Sequence, residues 1–296
     1  VLMKIVQYGK IMHLEIEKIL GHKDDPGMDI LSILLEHNIE PDFPEDVMKQ
    51  AEAIDQTVSA EQKKGRTDLT HRTIVTIDGN DSKDFDDAIS IERTQEGFKL
   101  GVHIADVSYY VTENSPLDNE ARRRGTSVYV VDRVVPMLPQ LLSNGICSLN
   151  PHVVRLTLTC DMEINQSGEV ASYQIYPSYI KSTERMTYEN VNRILDQDPE
   201  LCNRYRRLGS LFEDMQECAS LIRKRRESLG SISFDKEEAV IQVNENGDVL
   251  DIFSRERGES ERMIEDFMVC ANECVAAHMK WMEIPSLYRI HEQPEL

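Results

Sequence analysis

The chain has 296 residues, of which 40% are hydrophobic, and its formal net charge at pH 7 is −20. This apolar content excludes a fibre or a disordered tail, and because apolar runs are only a few residues long, we expect a soluble, cytoplasmic protein without transmembrane or secretory segments. The strong negative charge also excludes a protein that binds nucleic acid over its whole surface and leaves only a local groove for such a ligand.

The first 70 residues are predicted to lie before the main domain. Residues 1–18 alternate apolar and polar side chains like strands of a small β domain, yet they are too few to close one. Apolar residues then follow at helical spacing in 28–37. We assign residues 1–36 to this β remnant with its following helix, and the polar stretch 37–70 to a connecting arm.

The main domain is predicted to combine a sheet with helices. Runs rich in β-branched residues indicate strands at 73–77, 88–92, 98–107, 127–131, 155–164 and 170–176, with a hairpin turn at 94–97. The C-terminal third shows two apolar stripes of helical spacing, one over 211–222 and a longer one over 264–282. We therefore predict an α+β fold with a mixed or antiparallel sheet.

Several reactive side chains are predicted to be structural. The six cysteines have irregular spacing without a Cys-x-x-Cys pair, which favours reduced, mostly buried thiols. His103 lies within a predicted strand and is expected to be a hydrogen-bonded core histidine. Residues 223–226 are basic and end a predicted helix, where cations suit the helix dipole.

Residues 78–87 carry the strongest chemical signal. Five carboxylates fall within these ten positions, in a loop between two predicted strands: Asp78, Asp81, Asp84, Asp86 and Asp87. They repel one another unless a cation lies among them, and oxygen ligands without cysteine or histidine favour Mg²⁺ or Mn²⁺. A solvated acidic turn is the alternative that the residues leave open.

A calcium loop of the EF-hand type fits this run poorly. Asp78, Asn80, Ser82 and Asp84 occupy its first four ligand positions. However, Lys83 stands where the loop requires glycine, and Ile89 stands where it requires the bidentate glutamate.

Residues 78–90 resemble the acidic signature of the ribonuclease II and ribonuclease R family. The resemblance continues along the chain in the segments His103–Val111, Arg124–Tyr129, Pro136–Pro139, Leu142–Leu149, Arg185–Tyr188 and Ile264–Met268. It covers nearly the whole chain and is closer to the bacterial ribonuclease R branch than to ribonuclease II.

The resemblance implies a hydrolytic 3′→5′ exoribonuclease that degrades RNA processively to nucleoside 5′-monophosphates. Its catalytic residues would be Asp78, Asp84, Asp86 and Asp87, which in the family hold Mg²⁺ (or Mn²⁺) and organise the attacking water. We interpret Asp81 as a local turn residue or as an acid that supports the metal ligands without contacting the metal. The implied partner is the 3′ end of single-stranded RNA, bound by a monomer without a nucleotide cofactor.

The resemblance also implies RNA-binding residues. Tyr129 and Tyr188 match family tyrosines near the RNA 3′ end, Phe234 matches a phenylalanine that clamps it, and Glu265 matches an acid near the terminal ribose. Aromatic side chains suit such a channel because stacking holds a base without reading its identity. Arg124 ends a basic cluster before the Tyr129 segment and is a candidate phosphate contact. Core or rim packing, or a solvated helix face for Glu265, is the alternative.

The domain organisation that the resemblance implies is incomplete. Residues 1–36 resemble the end of the second cold-shock (OB-type) domain and its following helix, and residues 71–296 resemble the N-terminal part of the RNB-type catalytic domain. The family's later Ser-Pro-Ile-Arg-Arg segment and S1 domain are not in this sequence. A catalytically inactive RNA-binding or scaffolding fragment is therefore the alternative function.

Overall fold

The structure is a computed structural model that describes residues 1–7, 12–22, 24–131, 133–231, 238–244, 248–255 and 257–290. The chain divides into two compact units. The smaller unit comprises Val1–Gln50, Glu113–Pro139 and Glu237–Glu256, and the larger unit comprises Ala51–Thr112, Gln140–Lys236 and Arg257–Leu296. The described residues contain no helix both long and apolar enough to cross a bilayer.

The described strands and α-helices follow one another in this order: β1 (Leu2–Gln7), β2 (His13–Lys18), α1 (Met28–Glu36), α2 (Glu45–Glu52), β3 (Thr67–Asp68), β4 (Val75–Asp78), β5 (Asp87–Arg93), β6 (Gly97–Ala105), α3 (Pro116–Arg124), β7 (Val128–Val130), β8 (Arg133–Val135), β9 (Val154–Asn165), β10 (Val170–Lys181), β11 (Glu184–Thr187), α4 (Tyr188–Leu195), α5 (Pro199–Arg204), α6 (Gly209–Ser228), β12 (Glu238–Val243), β13 (Val249–Arg255) and α7 (Glu259–Trp281). Two short helical turns, Val107–Tyr109 and Leu141–Ile146, lie between them.

A mixed sheet forms the centre of the larger unit, as the sequence predicts. Its strand order is β11-β4-β5-β6-β9-β10-β3. Neighbouring strands are antiparallel except for the pairs β11–β4 and β10–β3, which are parallel. The sheet therefore has an antiparallel centre and a parallel pair at each edge.

The predicted turn at 94–97 closes the hairpin β5–β6. The Thr94 N–H donates to the Gly97 carbonyl oxygen at 2.9 Å. Gly97 has φ of 149°, and a Cβ added there would stand 2.0 Å from the Ile164 carbonyl oxygen on β9. Only glycine lets the neighbouring strand approach this closely.

Helices α4, α6 and α7 contribute to one hydrophobic core with the sheet. Phe98 of β6, Phe212 of α6 and Phe267 of α7 are completely buried in it. The predicted stripe at 211–222 is buried along α6, and the stripe that begins at 264 is buried along α7 as far as Cys274. The fold is thus α+β.

Ion pairs connect α6 to α7. Arg223 Nε lies 2.8 Å from Asp266 Oδ2, and Arg226 Nη1 lies 2.9 Å from Asp266 Oδ1. Asp266 is almost fully buried. Arg223 and Arg226 thus have a structural role through Asp266, an interhelical contact that the predicted interaction with the helix dipole does not include.

His103 is a core residue, as predicted. Its Nε2 lies 3.0 Å from Ser90 Oγ, its Nδ1 lies 2.8 Å from Thr159 Oγ1, and the side chain is fully buried. Burial lowers the pKa of His103 to about 3, so the ring is neutral at physiological pH. All six cysteines are free, and five of them are buried.

The smaller unit contains three two-stranded sheets, β1–β2, β7–β8 and β12–β13, among its described residues. The first agrees with the alternating pattern of residues 1–18. Helix α2 lies within the stretch predicted as a polar arm. A helix forms there because two apolar residues, Val47 and Ala51, suffice to bury one of its faces. The strands β8, β12 and β13 were not predicted.

Candidate functional site

The acidic loop, residues 79–86, connects two neighbouring strands of the central sheet. Asp78 is the last residue of β4 and Asp87 is the first residue of β5. These strands are antiparallel, with Val75 opposite Ile89. In an antiparallel pair, the end of the first strand lies beside the start of the second. The loop therefore holds its aspartates beside Asp78 and Asp87 at one end of these strands.

Four of the five aspartates interact electrostatically. Loss of hydration raises the pKa of Asp87 to about 6, and repulsion from Asp78 and Asp86 contributes. Loss of hydration, Asp84 and Asp78 likewise raise the pKa of Asp86. Asp81 is exposed and contributes to neither shift. The structure therefore places Asp78, Asp84, Asp86 and Asp87 near enough to one another to interact electrostatically.

A hydrogen-bonded turn forms the first half of the acidic loop. Asp78 Oδ1 accepts from the Gly79 N–H at 2.9 Å and from Ser82 Oγ at 2.8 Å. Arg185 of β11 reaches the same turn from the strand beside β4. Its Nη2 donates to the carbonyl oxygens of Gly79 (3.3 Å), Asn80 (2.7 Å) and Ser82 (3.3 Å).

A buried serine fixes the second half of the acidic loop. Ser148 Oγ donates to the Lys83 carbonyl oxygen at 2.9 Å and accepts from the Phe85 N–H at 3.0 Å. The Leu149 N–H donates to the Phe85 carbonyl oxygen at 2.8 Å. Sequence reasoning assigned no role to Ser148 or Arg185, although both lie in segments that carry the family resemblance.

The donor chemistry of the four aspartates suits a hard divalent cation. Their oxygens repel one another, and a cation among them would offset that repulsion. As they stand, no three histidine, cysteine or acidic side chains of the described residues converge tightly enough to hold a metal ion. The four aspartates therefore fit a divalent cation in their ligand type and in their charge.

Tyr188 and Glu265 belong to the same unit as the acidic loop. Tyr188 is the first residue of α4, is half-buried and packs against the main core. The side chain of Asn80 donates to Glu189 Oε2 at 2.9 Å, which connects the acidic loop to α4. Glu265 is exposed on α7 and pairs with Arg257.

Tyr129 and Arg124 belong to the smaller unit. The side chain of Tyr129 on β7 is 70% exposed. Phe234 lies outside the described residues, and its predicted role stays a prediction.

The guanidinium of Arg124 is engaged in structural contacts. It donates to Glu120 Oε1 at 2.8 Å, to the Pro136 carbonyl oxygen at 3.1 Å and to the Asp42 carbonyl oxygen at 2.7 Å. It also stacks 3.7 Å from the ring centroid of Phe43, and its side chain is only 6% exposed. The prediction that Arg124 contacts phosphate stays untested, but its surroundings differ from those of an open phosphate contact.

A cavity of about 560 Å³ in the larger unit does not coincide with the acidic loop. It is lined by residues of β10, α6 and α7, among them Tyr173, Ile222, Cys270 and Cys274. None of the predicted site residues that the structure describes contributes to its wall.

Two domain families match the chain. Residues 1–44 match the cold shock domain, and residues 66–296 match the RNB domain. The second match includes the acidic loop, Arg185 and Ser148.

Relatives of known identity resemble the chain over almost its full length. It is 49% identical over 290 residues to ribonuclease R 1 of Lactococcus lactis, covering 98% of this chain and 36% of that protein. It is 46% identical over 302 residues to ribonuclease R of Thermotoga maritima, covering 100% of this chain and 42% of that protein.

A solved structure has the same fold. Mycoplasma genitalium RNase R in complex with ribose-methylated single-stranded RNA superposes with a TM-score of 0.90 at 32% sequence identity. The match covers 99% of this chain and 46% of that one. The chain thus spans less than half the length of each of these three relatives.

Proposed function

Because the chain belongs to the RNB-domain family of ribonuclease II and ribonuclease R, we propose that it carries the metal-binding core of a 3′→5′ exoribonuclease. The reaction would be hydrolysis of the terminal phosphodiester of single-stranded RNA, with release of nucleoside 5′-monophosphates. The observation that carries the proposal is the group of four electrostatically coupled aspartates at one end of the sheet.

Asp78, Asp84, Asp86 and Asp87 would hold Mg²⁺ or Mn²⁺. When bound, such a cation activates water and stabilises the charge that develops on the phosphate oxygens. The Asp87 carboxyl, whose pKa is raised to about 6, would give up its proton as the cation binds. The backbone contacts of Arg185 and Ser148 would hold the loop while the charge changes.

Aromatic side chains would bind the RNA near its 3′ end. Tyr129 is exposed enough to stack on a base, and Tyr188 stands at the start of α4 directly after β11. Stacking contributes about 1–3 kcal/mol per base. Phe234, Glu265 and Arg124 complete the proposed RNA contacts by resemblance alone.

The charge of the chain limits how RNA is captured. At a net charge of −20 the long-range field repels phosphate, so binding would depend on local stacking and on the cation among the aspartates. We propose that the protein acts as a monomer in the cytoplasm. Repulsion among the four carboxylates destabilises the fold. A purely scaffolding role would not require these four residues to lie near one another.

The test uses 5′-labelled single-stranded RNA with either a free or a blocked 3′ end. With Mg²⁺ the free strand should shorten progressively to a short labelled remnant, the blocked strand should survive, and Asp86→Asn should abolish shortening. Asp81→Asn is the matched control, because Asp81 contributes to the pKa shift of neither Asp86 nor Asp87. Internal fragments from the blocked strand, or unchanged shortening by Asp86→Asn, would contradict the proposal.

A further inference from the structure

We propose that Arg185 and Ser148 are positioning residues that set the conformation of the acidic loop from its two ends, and the role we give them rests on the function proposed above. Neither residue supplies a carboxylate, and neither was assigned a role by sequence reasoning. Their contacts are with the backbone of the loop, on both sides of Lys83.

Arg185 determines the shape of the turn between Asp78 and Asp84. Its Nη2 is shared among three carbonyl oxygens, at 2.7 Å from that of Asn80 and 3.3 Å from those of Gly79 and Ser82. These oxygens point their negative ends towards one another and would repel without a cationic donor between them. Arg185 therefore stabilises a turn that an acidic loop would otherwise avoid.

The same side chain also reaches the second half of the loop. The guanidinium carbon of Arg185 lies 5.1 Å from the ring centroid of Phe85. Phe85 is buried, and it stands between Asp84 and Asp86 in the sequence. The Nε of Arg185 is buried without a hydrogen-bond partner among the described residues. Its burial has a cost, which the contacts with the loop offset.

Ser148 fixes the backbone on both sides of Asp84. Its hydroxyl donates to the carbonyl of Lys83 and accepts from the N–H of Phe85, so a single oxygen connects the residues before and after that aspartate. Ser148 is completely buried. Arg155 Nε donates to the Ser148 carbonyl oxygen at 2.9 Å, so the serine is itself held in place.

The two residues together oppose the repulsion among the aspartates. Without a cation, a loop free to move would separate its carboxylates. A loop held by backbone contacts at both ends keeps them near one another, so that less movement is needed when a cation binds. Residues in this position around metal ligands typically change metal affinity by about 10- to 100-fold when they are replaced.

The first test measures amide hydrogen exchange in the metal-free chain. Arg185→Lys should accelerate exchange of the Phe85 amide, and Ser148→Ala should accelerate exchange of the Gly79 and Ser82 amides, each on the order of tenfold. In each variant, the measured amides lie at the end of the loop with which the replaced side chain forms no hydrogen bond. Exchange that changes only next to each substitution would overturn the proposal.

The second test is calorimetric titration with Mn²⁺. Arg185→Lys keeps the charge but loses the planar fork, so we expect affinity for Mn²⁺ to fall on the order of tenfold. Arg223→Gln is the matched control, since Arg223 pairs with Asp266 between α6 and α7 and should lower the melting temperature without changing Mn²⁺ affinity. Wild-type affinity in Arg185→Lys would show that charge alone suffices and would overturn the proposal.

The two tests separate this proposal from the proposed function. If the wild-type chain showed no Mn²⁺ binding that depends on Asp86, the proposed metal site would fail. The exchange experiment would still decide whether Arg185 and Ser148 set the conformation of the loop.

Discussion

Thr187 of β11 lies opposite Asp78 of β4 in parallel register. Thr187 is also the N-cap of α4, because its Oγ1 accepts from the Asn190 N–H at 3.2 Å. One threonine thus connects the strand that presents the first aspartate to the helix that begins with Tyr188.

Replacing this cap should cost stability. Thr187→Ala removes the side-chain acceptor of α4, and we expect the free energy of unfolding to fall by about 1 kcal/mol. For a unit of this size that corresponds to a decrease of roughly 2–4 °C in melting temperature. Thr187→Ser keeps the hydroxyl and should stay close to wild type; an equal loss in Thr187→Ser would point to packing of the methyl group instead.

Replacing Asp86 should have opposite effects with and without metal. In the metal-free protein, Asp86→Asn removes repulsion by Asp84 and Asp78, so the melting temperature should rise by roughly 1–3 °C. With Mn²⁺ added, wild type should gain stability and the variant should gain much less. Thermal unfolding with and without Mn²⁺ measures both, with Asp81→Asn as the control. A lower melting temperature of metal-free Asp86→Asn than of metal-free wild type would contradict the proposed repulsion.

Asp87 should make the stability of the metal-free protein depend on pH. Its folded pKa of about 6 exceeds the value of about 3.9 expected in the unfolded chain. The protonated carboxyl therefore contributes stability that is fully present below pH about 4 and is lost as the pH rises through about 6. We expect a contribution on the order of 2 kcal/mol, measured by denaturant unfolding in a chelator.

The comparison with Asp87→Asn isolates this effect. The difference in unfolding free energy between wild type and variant should change across pH 4–7, and a flat difference would refute the raised pKa. Mn²⁺ affinity of wild type should rise over the same range, since the proton and the cation compete for one carboxylate.

Tyr129 should act in RNA binding rather than in chemistry. Because its side chain is largely exposed, Tyr129→Ala should leave the melting temperature almost unchanged while weakening single-stranded RNA binding by about 1–3 kcal/mol. It should also change the length of the final RNA remnant more than the rate of cleavage. Tyr129→Phe keeps the ring and serves as the control. Fluorescence polarisation with labelled RNA measures the affinity, and equal losses in both variants would exclude stacking.

Arg124 and Arg122 should respond very differently to replacement. Arg124→Met leaves the buried carboxylate of Glu120 and two backbone carbonyls with fewer partners, so we expect a loss of about 3 kcal/mol in unfolding free energy. Arg122 is exposed and pairs with the partly buried Asp118, and Arg122→Met should cost less than about 1 kcal/mol. Chemical denaturation measures both. Similar values for the two would show that the buried contacts contribute little.

Local signals made the centre of the fold and the acidic loop predictable. The hairpin at 94–97, the stripes of α6 and α7 and the buried His103 depend on short-range patterns that tertiary packing reinforces. The loop was recognisable because its carboxylates lie within ten positions of one another. Charge density in a short stretch can be read directly from a sequence.

Relations between distant residues could not be predicted. Arg185 contacts Gly79 from 106 positions away, and Ser148 contacts Phe85 from 63 positions away. The inward contacts of Arg124 could not be predicted either, because a basic cluster looks the same in sequence whether its members face solvent or, like Arg124, turn inward towards Glu120. Helix α2 was missed because its buried face is only two side chains wide.

The parallel pairing of β11 with β4 also determines when the acidic loop can take its final shape during folding. β4 and β5 are neighbours in sequence, but the strand carrying Arg185 can join them only after β6, β9 and β10 have been synthesised. Such non-local pairing has a high contact order and forms slowly. A nascent chain that ends before β11 would therefore contain all four aspartates but lack the arginine that shapes their loop, so metal binding should begin late in the synthesis of this domain.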